Sequence, residues 1–219
     1  MSYKLRLRFS KTGRAKYISH LDLMATMRRA LLRAGLDLKY SEGFNPHPYM
    51  SIALPLPIGS GSVCELMDVG TTADLHPDDL PGMINKVLPE GLEVISAYTS
   101  ERKFSGIAWV EISGQLYYDT GAPPGAAERL AERFKEEHIV ISKKTKRSMS
   151  DIDISPYIRS ISFIQLDDVT MSARVSAQNP TINPENLISA IKDGNETLIP
   201  DFYSFTRTEV FDSDMNVFR

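Results

Sequence analysis

Apolar and polar side chains alternate along the first ten residues, which predicts a half-buried strand. The apolar face of this strand holds Tyr3, Leu5, Leu7 and Phe9. The opposite face carries Lys4, Arg6 and Arg8, so it is strongly basic. A glycine loop around Gly13 follows.

The segment from Ser19 to Gly35 has the features of a helix. Ser19 stands three residues before Asp22, which is the spacing of a helix-capping hydroxyl and carboxylate. Apolar residues then recur at helical intervals, at Leu21, Met24, Met27, Leu31 and Ala34. Gly35 is predicted to end the helix.

The remaining pattern predicts two similar halves. In the first half, strands are predicted over residues 36–41, about 49–56, 62–70 and 92–99, with a helix over 80–88. In the second half, strands are predicted over residues 107–118, 138–143, 160–166, 169–177 and 202–211, with helices around 127–134 and from Asn183 onward. Residues 144–159 are a long connection without a clear pattern.

This order of strands and helices predicts the fold class. Strand, helix, strands, helix, strand is the split βαβ order of a ferredoxin-like sandwich, in which helices cover one face of an antiparallel sheet. We therefore predict an α+β protein of two tandem ferredoxin-like sandwiches with antiparallel sheets. The predicted domains are residues 1–103 and 104–219, each of ordinary domain size.

Charge is distributed unevenly along the 219 residues, although the formal net charge is only −3. Residues 1–48 carry ten basic and three acidic side chains, a net +7, whereas residues 49–101 carry one basic and eight acidic side chains, a net −7. This polarity predicts a localised anion-binding face. The alternative is a solvated surface whose basic side chains pair with the acidic stretch.

The basic strand face suggests RNA as the anion. At about 3.3 Å rise per residue, Lys4, Arg6 and Arg8 project at roughly 7 Å intervals from the face that the helices leave open. This face lacks the aromatic rings on which RNA-binding sheets stack bases, and packing of the second domain there is the alternative. The candidate anion or RNA contacts are Lys4, Arg6, Arg8, Lys11, Arg14, Lys16, Arg28, Arg29, Arg33, Lys143, Lys144, Lys146 and Arg147.

Other classes of site are disfavoured by the sequence. Cys64 is the one cysteine, so the chain has neither a disulfide framework nor a CxxC metal motif, and it has no GxxxxGK[ST] phosphate loop. The longest apolar stretch, from Ile52 to Ile58, contains two prolines and is too short to span a bilayer. We therefore expect a cytoplasmic protein without a membrane partner and without a cofactor of its own.

Three loop segments carry a family resemblance. Residues 9–22 and 40–48 are rich in glycine, proline, polar and aromatic side chains, and a third motif spans residues 151–158. Their motif residues are Ser19, Asp22, Tyr40, Ser41, Gly43, Phe44, Asn45, Pro46, Asp153, Pro156 and Tyr157. With these motifs the sequence resembles the bacterial radical-SAM-linked protein family over essentially its whole length.

The resemblance implies a partner rather than a reaction. The family has no established activity, and its members are found alone or joined to a radical SAM protein, so the implied partner is a separate radical SAM enzyme. This chain has no CxxxCxxC with which to hold a radical SAM cluster. Ser155 stands where the family frequently has arginine, which weakens any anion site at that position unless Lys146 or Arg147 supplies it.

Three functions stay open at this point. The first is an accessory protein that presents structured RNA, such as tRNA or rRNA, to the radical SAM enzyme. The second is a metal-independent RNA endonuclease with His20 or His47 as general acid or base, although both histidines also fit structural roles. A metal site from His20, His47, Asp22 and Glu42 has no diagnostic spacing. The third is a scaffold that binds only protein.

Overall fold

The computed structural model describes residues 3–99, 101–144, 149–194 and 196–219. They form two compact units, the first running to Gly106 and including Arg219, the second spanning Ile107–Phe218. The predicted boundary lay three residues earlier. Each unit combines helices with an antiparallel sheet, so the mixed α+β class is confirmed.

In the part of the first unit that the structure describes, there are four strands and two α-helices. They are β1 (Tyr3–Lys11), α1 (His20–Arg33), β2 (Met50–Ile52), β3 (Gly61–Thr71), α2 (Leu80–Asn85) and β4 (Leu92–Thr99). The sheet order is β4-β1-β3-β2, and every neighbouring pair is antiparallel. Leu5 lies opposite Val69 and Leu7 opposite Met67, so alternate residues of β1 and β3 face the same core.

The core of the first unit confirms the predicted apolar face of β1 and corrects that of α1. Leu5, Leu7 and Phe9 are buried. The buried residues of α1 are Leu23, Met27, Ala30 and Leu31. Leu21 was predicted to join this stripe, but it is 78% exposed because it precedes Leu23 by two residues and therefore points about 200° away around the helix.

Two predicted strands are shorter than the pattern suggested. Residues 36–41 pair only through isolated bridges, Leu38 with Thr71 and Tyr40 with Pro48. Pro48 has no N–H with which to extend the ladder. Strand β2 covers three of the eight residues predicted for it; Pro55 lies in the remainder, and Pro57 follows directly after it.

Helix α2 also ends earlier than predicted. It stops at Asn85 rather than at residue 88. The Asn85 side chain accepts from the backbone N–H of Val94 at 2.7 Å and donates to the Val94 carbonyl at 2.9 Å. These bonds attach the end of α2 to strand β4.

The described residues of the second unit form six strands and two α-helices. They are β5 (Trp109–Tyr117), α3 (Ala126–Arg133), β6 (Val140–Lys144), β7 (Met149–Asp153), β8 (Ile158–Gln165), β9 (Val169–Ser176), α4 (Pro184–Gly194) and β10 (Phe202–Phe211). The main sheet has the antiparallel order β10-β5-β9-β8. The strand predicted over residues 138–143 does not join it: β6 pairs with β7 in a separate two-stranded sheet.

Candidate nucleic-acid interface

The three basic side chains on the predicted open face of β1 differ in their exposure. The Lys4 side chain is 53% exposed, Arg8 is partly buried, and Arg6 is fully buried at 0%. Arg6 lies opposite Asp68 of β3 and donates from Nε to Oδ1 at 2.7 Å and from Nη2 to Oδ2 at 3.1 Å. The same carboxylate pairs with the Lys4 ammonium at 3.0 Å.

The segment after β4 covers Arg6. The Arg6 guanidinium donates from Nη2 to the carbonyl oxygen of Arg102 at 2.7 Å, and its central carbon lies 4.2 Å from the centroid of the Phe104 ring. The expectation that Arg6 projects into solvent toward a phosphate is therefore wrong. A buried guanidinium requires a counterion and hydrogen-bond acceptors, and the fold provides both.

Lys11 is a second basic candidate that the fold buries. It is 2% exposed, and its ammonium donates to the carbonyl oxygen of Lys16 at 3.0 Å. Burial lowers the pKa of the Lys11 ammonium, and the negative charge of Glu65 partly offsets this. The same Lys16 carbonyl oxygen accepts from the backbone N–H of Gly59 at 2.9 Å. Because Lys11 is buried with its ammonium bonded to this carbonyl, it is unavailable to an external anion.

The other basic candidates are distributed over both units. Arg14, Arg28, Arg29 and Arg33 are exposed, although Arg33 donates to the Val87 carbonyl at 2.9 Å. The Lys16 ammonium lies 5.1 Å from the centroid of the Tyr17 ring. Lys143 and Lys144 belong to β6, whereas Lys146 and Arg147 lie outside the described residues.

The loop over residues 40–48 is closed at its base and open at its tip. Ser41 donates its backbone N–H to the His47 carbonyl at 2.8 Å, and its hydroxyl accepts from the His47 N–H at 2.9 Å. Gly43 has a φ of +117°, a backbone conformation that residues other than glycine rarely adopt. The tip residues Glu42, Gly43, Phe44, Asn45 and Pro46 are all exposed. Phe44 reaches 112% of its reference exposure, so the loop presents a bare aromatic ring.

The two candidate histidines differ in their surroundings. Ser19 and Asp22 form the predicted cap at the start of α1, because the Ser19 hydroxyl accepts from the Asp22 N–H at 3.2 Å and donates to its carboxylate at 2.7 Å. His20 is half-buried at this helix start. His47 instead lines a groove of about 430 Å³ with Leu21, Met24, Ala25, Arg28, Pro48 and Met50. We call this surface the α1 groove.

A second groove is also lined by Pro48 and Met50. It encloses about 510 Å³ and is lined by Lys4, Lys39, Pro48, Tyr49, Met50, Ser51, Asp68, Val69 and Gly70. The Lys39 ammonium lies 5.4 Å from the centroid of the Tyr49 ring, and Tyr49 is 51% exposed. We call this surface the Tyr49 groove.

Sequence reasoning missed Lys39 and Tyr49. The signal that was present is the repetition of an aromatic residue at both ends of the loop, Tyr40 at its start and Tyr49 just after Pro48. The isolated bridge between Tyr40 and Pro48 brings these two ends together. The aromatic rings that the basic face of β1 lacks are therefore supplied by this loop and by Tyr49.

The motif around Asp153 has a structural role in the described residues. The Asp153 carboxylate pairs with His138 Nδ1 at 2.7 Å and accepts from the backbone N–H groups of Ile139 and Ser155, both at 3.0 Å. The Ser155 hydroxyl also donates to it, at 2.8 Å. The bond with His138, followed by those from Ser155, holds the pKa of Asp153 well below its ordinary value. Pro156 and Tyr157 belong to the short 3-10 turn that follows.

The described residues contain neither a metal-binding cluster nor a membrane-spanning helix. Among residues 3–99, 101–144, 149–194 and 196–219, no group of three or more histidine, cysteine, aspartate and glutamate side chains is arranged to hold a metal ion. In the same part of the chain, no helix has the length and hydropathy needed to cross a bilayer.

Similarity to solved structures concerns the fold alone. A chain in the crystal structure of a Cbf5-Nop10-Gar1 complex aligns with a TM-score of 0.52 at 10% identity, covering 94% of this chain and 48% of that one. This chain thus spans about half the length of that neighbour. An unknown protein from Galdieria sulphuraria aligns at 8% identity over 94% of this chain and 99% of its own, with a TM-score of 0.29, too low to support an argument.

Comparison of sequences identifies the family. No curated protein matches the chain significantly. A family described as an uncharacterized protein conserved in bacteria matches over residues 4–184, which is most of the chain. The protein therefore belongs to this bacterial family, DUF2344.

Proposed function

We propose that the protein is a cytoplasmic RNA-binding accessory module that presents structured RNA, such as tRNA or rRNA, to a separate radical SAM enzyme. The observation that carries the RNA proposal is the group of exposed rings beside cations around residues 39–51. Phe44 and Tyr49 are at least half exposed, and Tyr40 is 40% exposed. Lys39, Lys4 and Arg28 line the two grooves that flank Pro48 and Met50.

This combination has the chemistry that RNA binding needs. Cations bind phosphates without reading sequence, and exposed rings stack on unpaired bases. The basic face of β1 alone lacked the rings, and the loop supplies them. Arg6 and Lys11 drop out of the proposed interface because they are buried.

The partner proposal is carried by the resemblance to the radical-SAM-linked family and by the α1 groove. The α1 groove is mainly apolar, and Leu21 stands 78% exposed on its wall. Arg28 lines it, and Arg29 is exposed next to it in the chain. An apolar groove with cations at its margin complements an acidic, partly apolar segment of a partner protein. If the protein binds no RNA, the same groove supports the protein-only scaffold as the second candidate.

We also interpret the two units as tandem ferredoxin-like sandwiches. The strand orders β4-β1-β3-β2 and β10-β5-β9-β8 correspond position by position once the β6–β7 pair is set aside as an insertion. This correspondence supports two domains that divide near residue 106.

The RNA proposal is tested with purified protein and end-labelled tRNA and rRNA fragments, in the presence of a chelator and over a range of salt. If Lys4, Arg28, Arg29 and Lys39 each neutralise one phosphate, log Kobs falls with log salt at a slope of about −3 to −4. The double variant Arg28→Gln and Arg29→Gln should reduce the steepness of this slope by about 1.5. The matched control is Lys135→Gln with Lys192→Gln, two exposed lysines of the second unit, which should leave the slope unchanged.

Other outcomes of this assay select among the alternatives. Intact RNA that shifts on the gel supports the accessory module. RNA that is shifted and cut, with cutting lost in His20→Ala or His47→Ala, supports the endonuclease instead. RNA that stays free and intact at every salt concentration contradicts the RNA proposal and leaves the scaffold.

A further inference from the structure

The backbones of three distant residues form a closed hydrogen-bonded cycle on the wall of the Tyr49 groove. Lys39 donates its N–H to the Gly70 carbonyl at 2.8 Å, Gly70 donates to the Tyr49 carbonyl at 2.7 Å, and Tyr49 donates to the Lys39 carbonyl at 2.9 Å. Each of the three residues is therefore both a donor and an acceptor within the cycle. These bonds fix the backbone from which the Lys39 and Tyr49 side chains extend, before any ligand binds.

Gly70 allows this close approach. A Cβ atom added at Gly70 would lie 3.0 Å from the Cβ of Tyr49 and 3.5 Å from the Cβ of Lys39. The first distance is too short for two carbon atoms without a shift of the backbone. The absence of a side chain at Gly70 thus lets Lys39 and Tyr49 stand side by side.

The charges around this groove favour an anion. Lys4 and Lys39 line it, and the carboxylate of Asp68 in its wall is shared between the buried Arg6 and Lys4, which lies 3.0 Å from it. Lys4, Arg6 and Lys39 carry three positive charges against one negative charge on Asp68, so the wall keeps a positive excess. Tyr49 is half exposed, and the Lys39 ammonium lies within cation–π range of its ring.

We propose that the Tyr49 groove binds an unpaired nucleotide of RNA, with the base stacked on Tyr49 and the adjacent phosphates on Lys39 and Lys4. This inference rests on the proposed RNA-binding function and names the form of RNA that is recognised. The groove volume of about 510 Å³ lies within the range of pockets that enclose small ligands. Bases inside a duplex are already stacked on their neighbours, so only an unpaired base can use the ring.

The test compares a labelled single-stranded 12-mer RNA with a labelled RNA duplex of the same length, by fluorescence anisotropy with the full chain. Tyr49→Ala should weaken binding of the single strand about tenfold, because stacking on one ring contributes on that order. Tyr49→Phe keeps the ring and should bind within about twofold of the parent. Lys39→Gln should weaken the single strand and reduce the steepness of its salt slope by about 0.7, the loss of one phosphate contact.

The control is Phe202→Ala, which removes a ring that is 59% exposed in the second unit and should leave binding unchanged. Circular dichroism melts of each variant separate loss of binding from loss of folding, and the conservative Tyr49→Phe keeps the test valid if Tyr49→Ala folds poorly. If RNA binds but prefers the duplex, or if Tyr49→Ala binds the single strand as well as the parent, the nucleotide groove is wrong while RNA binding stands. If neither RNA form binds, the proposed function itself fails.

Discussion

Arg6 of β1 and Asp68 of β3 lie opposite each other in the sheet, and both carboxylate oxygens of Asp68 accept hydrogen bonds from the Arg6 guanidinium. Because Arg6 is fully buried, this pair converts a residue that looks like a phosphate contact into part of the structural framework. The backbone carbonyl of Arg102 and the ring of Phe104 complete its surroundings.

Asp68→Asn is expected to lower the free energy of unfolding by about 3 kcal/mol, because it leaves the Arg6 guanidinium buried without a full counterion. The measurement is urea denaturation at neutral pH. Lys4→Gln is the control: it removes the half-exposed partner of the same carboxylate and should cost less than about 1 kcal/mol. Equal losses in the two variants would contradict a dominant role of the buried pair.

Asp153→Asn should make the stability of the protein less dependent on pH below about pH 4. The native pKa of Asp153 is lowered, chiefly by His138 and then by Ser155, so its carboxylate stabilises the fold fully above the ordinary aspartate pKa of about 4. That contribution is lost progressively as the pH falls below about 4 toward the lowered native pKa. Thermal melts between pH 6 and pH 2 should therefore show a lower melting temperature for the variant at pH 6 and a shallower decline below pH 4. Asp151→Asn, which changes an exposed carboxylate on the same strand, should keep the parent's decline.

Tyr118→Phe should change stability at alkaline pH. The Tyr118 hydroxyl donates to the Leu198 carbonyl at 3.0 Å. Burial, followed by the nearby charges of Asp168 and Asp201, raises the pKa of Tyr118 to about 12. The stabilisation is thus complete below the unfolded pKa of about 10 and is lost as the pH rises from there to about 12.

The measurement for Tyr118 is urea denaturation at several pH values. At pH 8 the variant should lose about 1 kcal/mol, the net value of one hydrogen bond. Between pH 10 and pH 12 it should lose less stability than the parent does. Tyr17→Phe, at a residue that is 58% exposed, should follow the parent at every pH. A parallel decline of Tyr118→Phe and the parent above pH 10 would contradict the prediction.

Gly114→Ala and Gly82→Ala should change stability in opposite directions. A Cβ atom at Gly114 would lie 2.8 Å from Cδ1 of Phe205, closer still to Cε1 of that ring, and 3.2 Å from Cε of Met171. The resulting overpacking should cost about 1–3 kcal/mol. Nothing lies within 4 Å of a Cβ at Gly82, which belongs to α2, so alanine there should add up to about 1 kcal/mol.

The stabilities of the two variants Gly114→Ala and Gly82→Ala are compared by urea denaturation under one set of conditions. The double variant Gly114→Ala with Phe205→Leu provides a further check. Phe205→Leu removes the ring that the new methyl group meets. Gly114→Ala should therefore cost less stability in the Phe205→Leu background than in the parent. A cost at Gly82 as large as that at Gly114 would show that loss of glycine, rather than contact with Phe205, is responsible.

The elements that could be predicted are those with strong periodicity. The apolar face of β1, the cap of α1 by Ser19 and Asp22, and the mixed α+β class with antiparallel sheets were all predictable and are confirmed. These features are local, because each depends on residues that are neighbours along the chain. The predictions that were wrong concern the extent of elements, such as the strand over residues 36–41. The length of such an element is decided by prolines or by pairing with distant strands.

The candidate site was only partly predictable. The composition of the loop over residues 40–48 marked it as a candidate in the sequence. Lys39 and Tyr49, however, are placed side by side by backbone hydrogen bonds that include Gly70, about twenty to thirty residues away. Arg6 and Lys4 are equivalent in the alternating pattern, yet one is buried and the other half exposed.

The sequence alone was enough to identify the buried positions Leu5, Leu7 and Phe9 of β1, the capped start of α1 and the mixed α+β class. Periodicity and capping depend on near neighbours, so they can be read without a structure. Only the tertiary structure decided which charges are neutralised inside the fold and which remain on the two grooves. The exposure of a side chain depends on what packs over it, and the segments that cover Arg6, or leave Tyr49 open, come from distant parts of the chain.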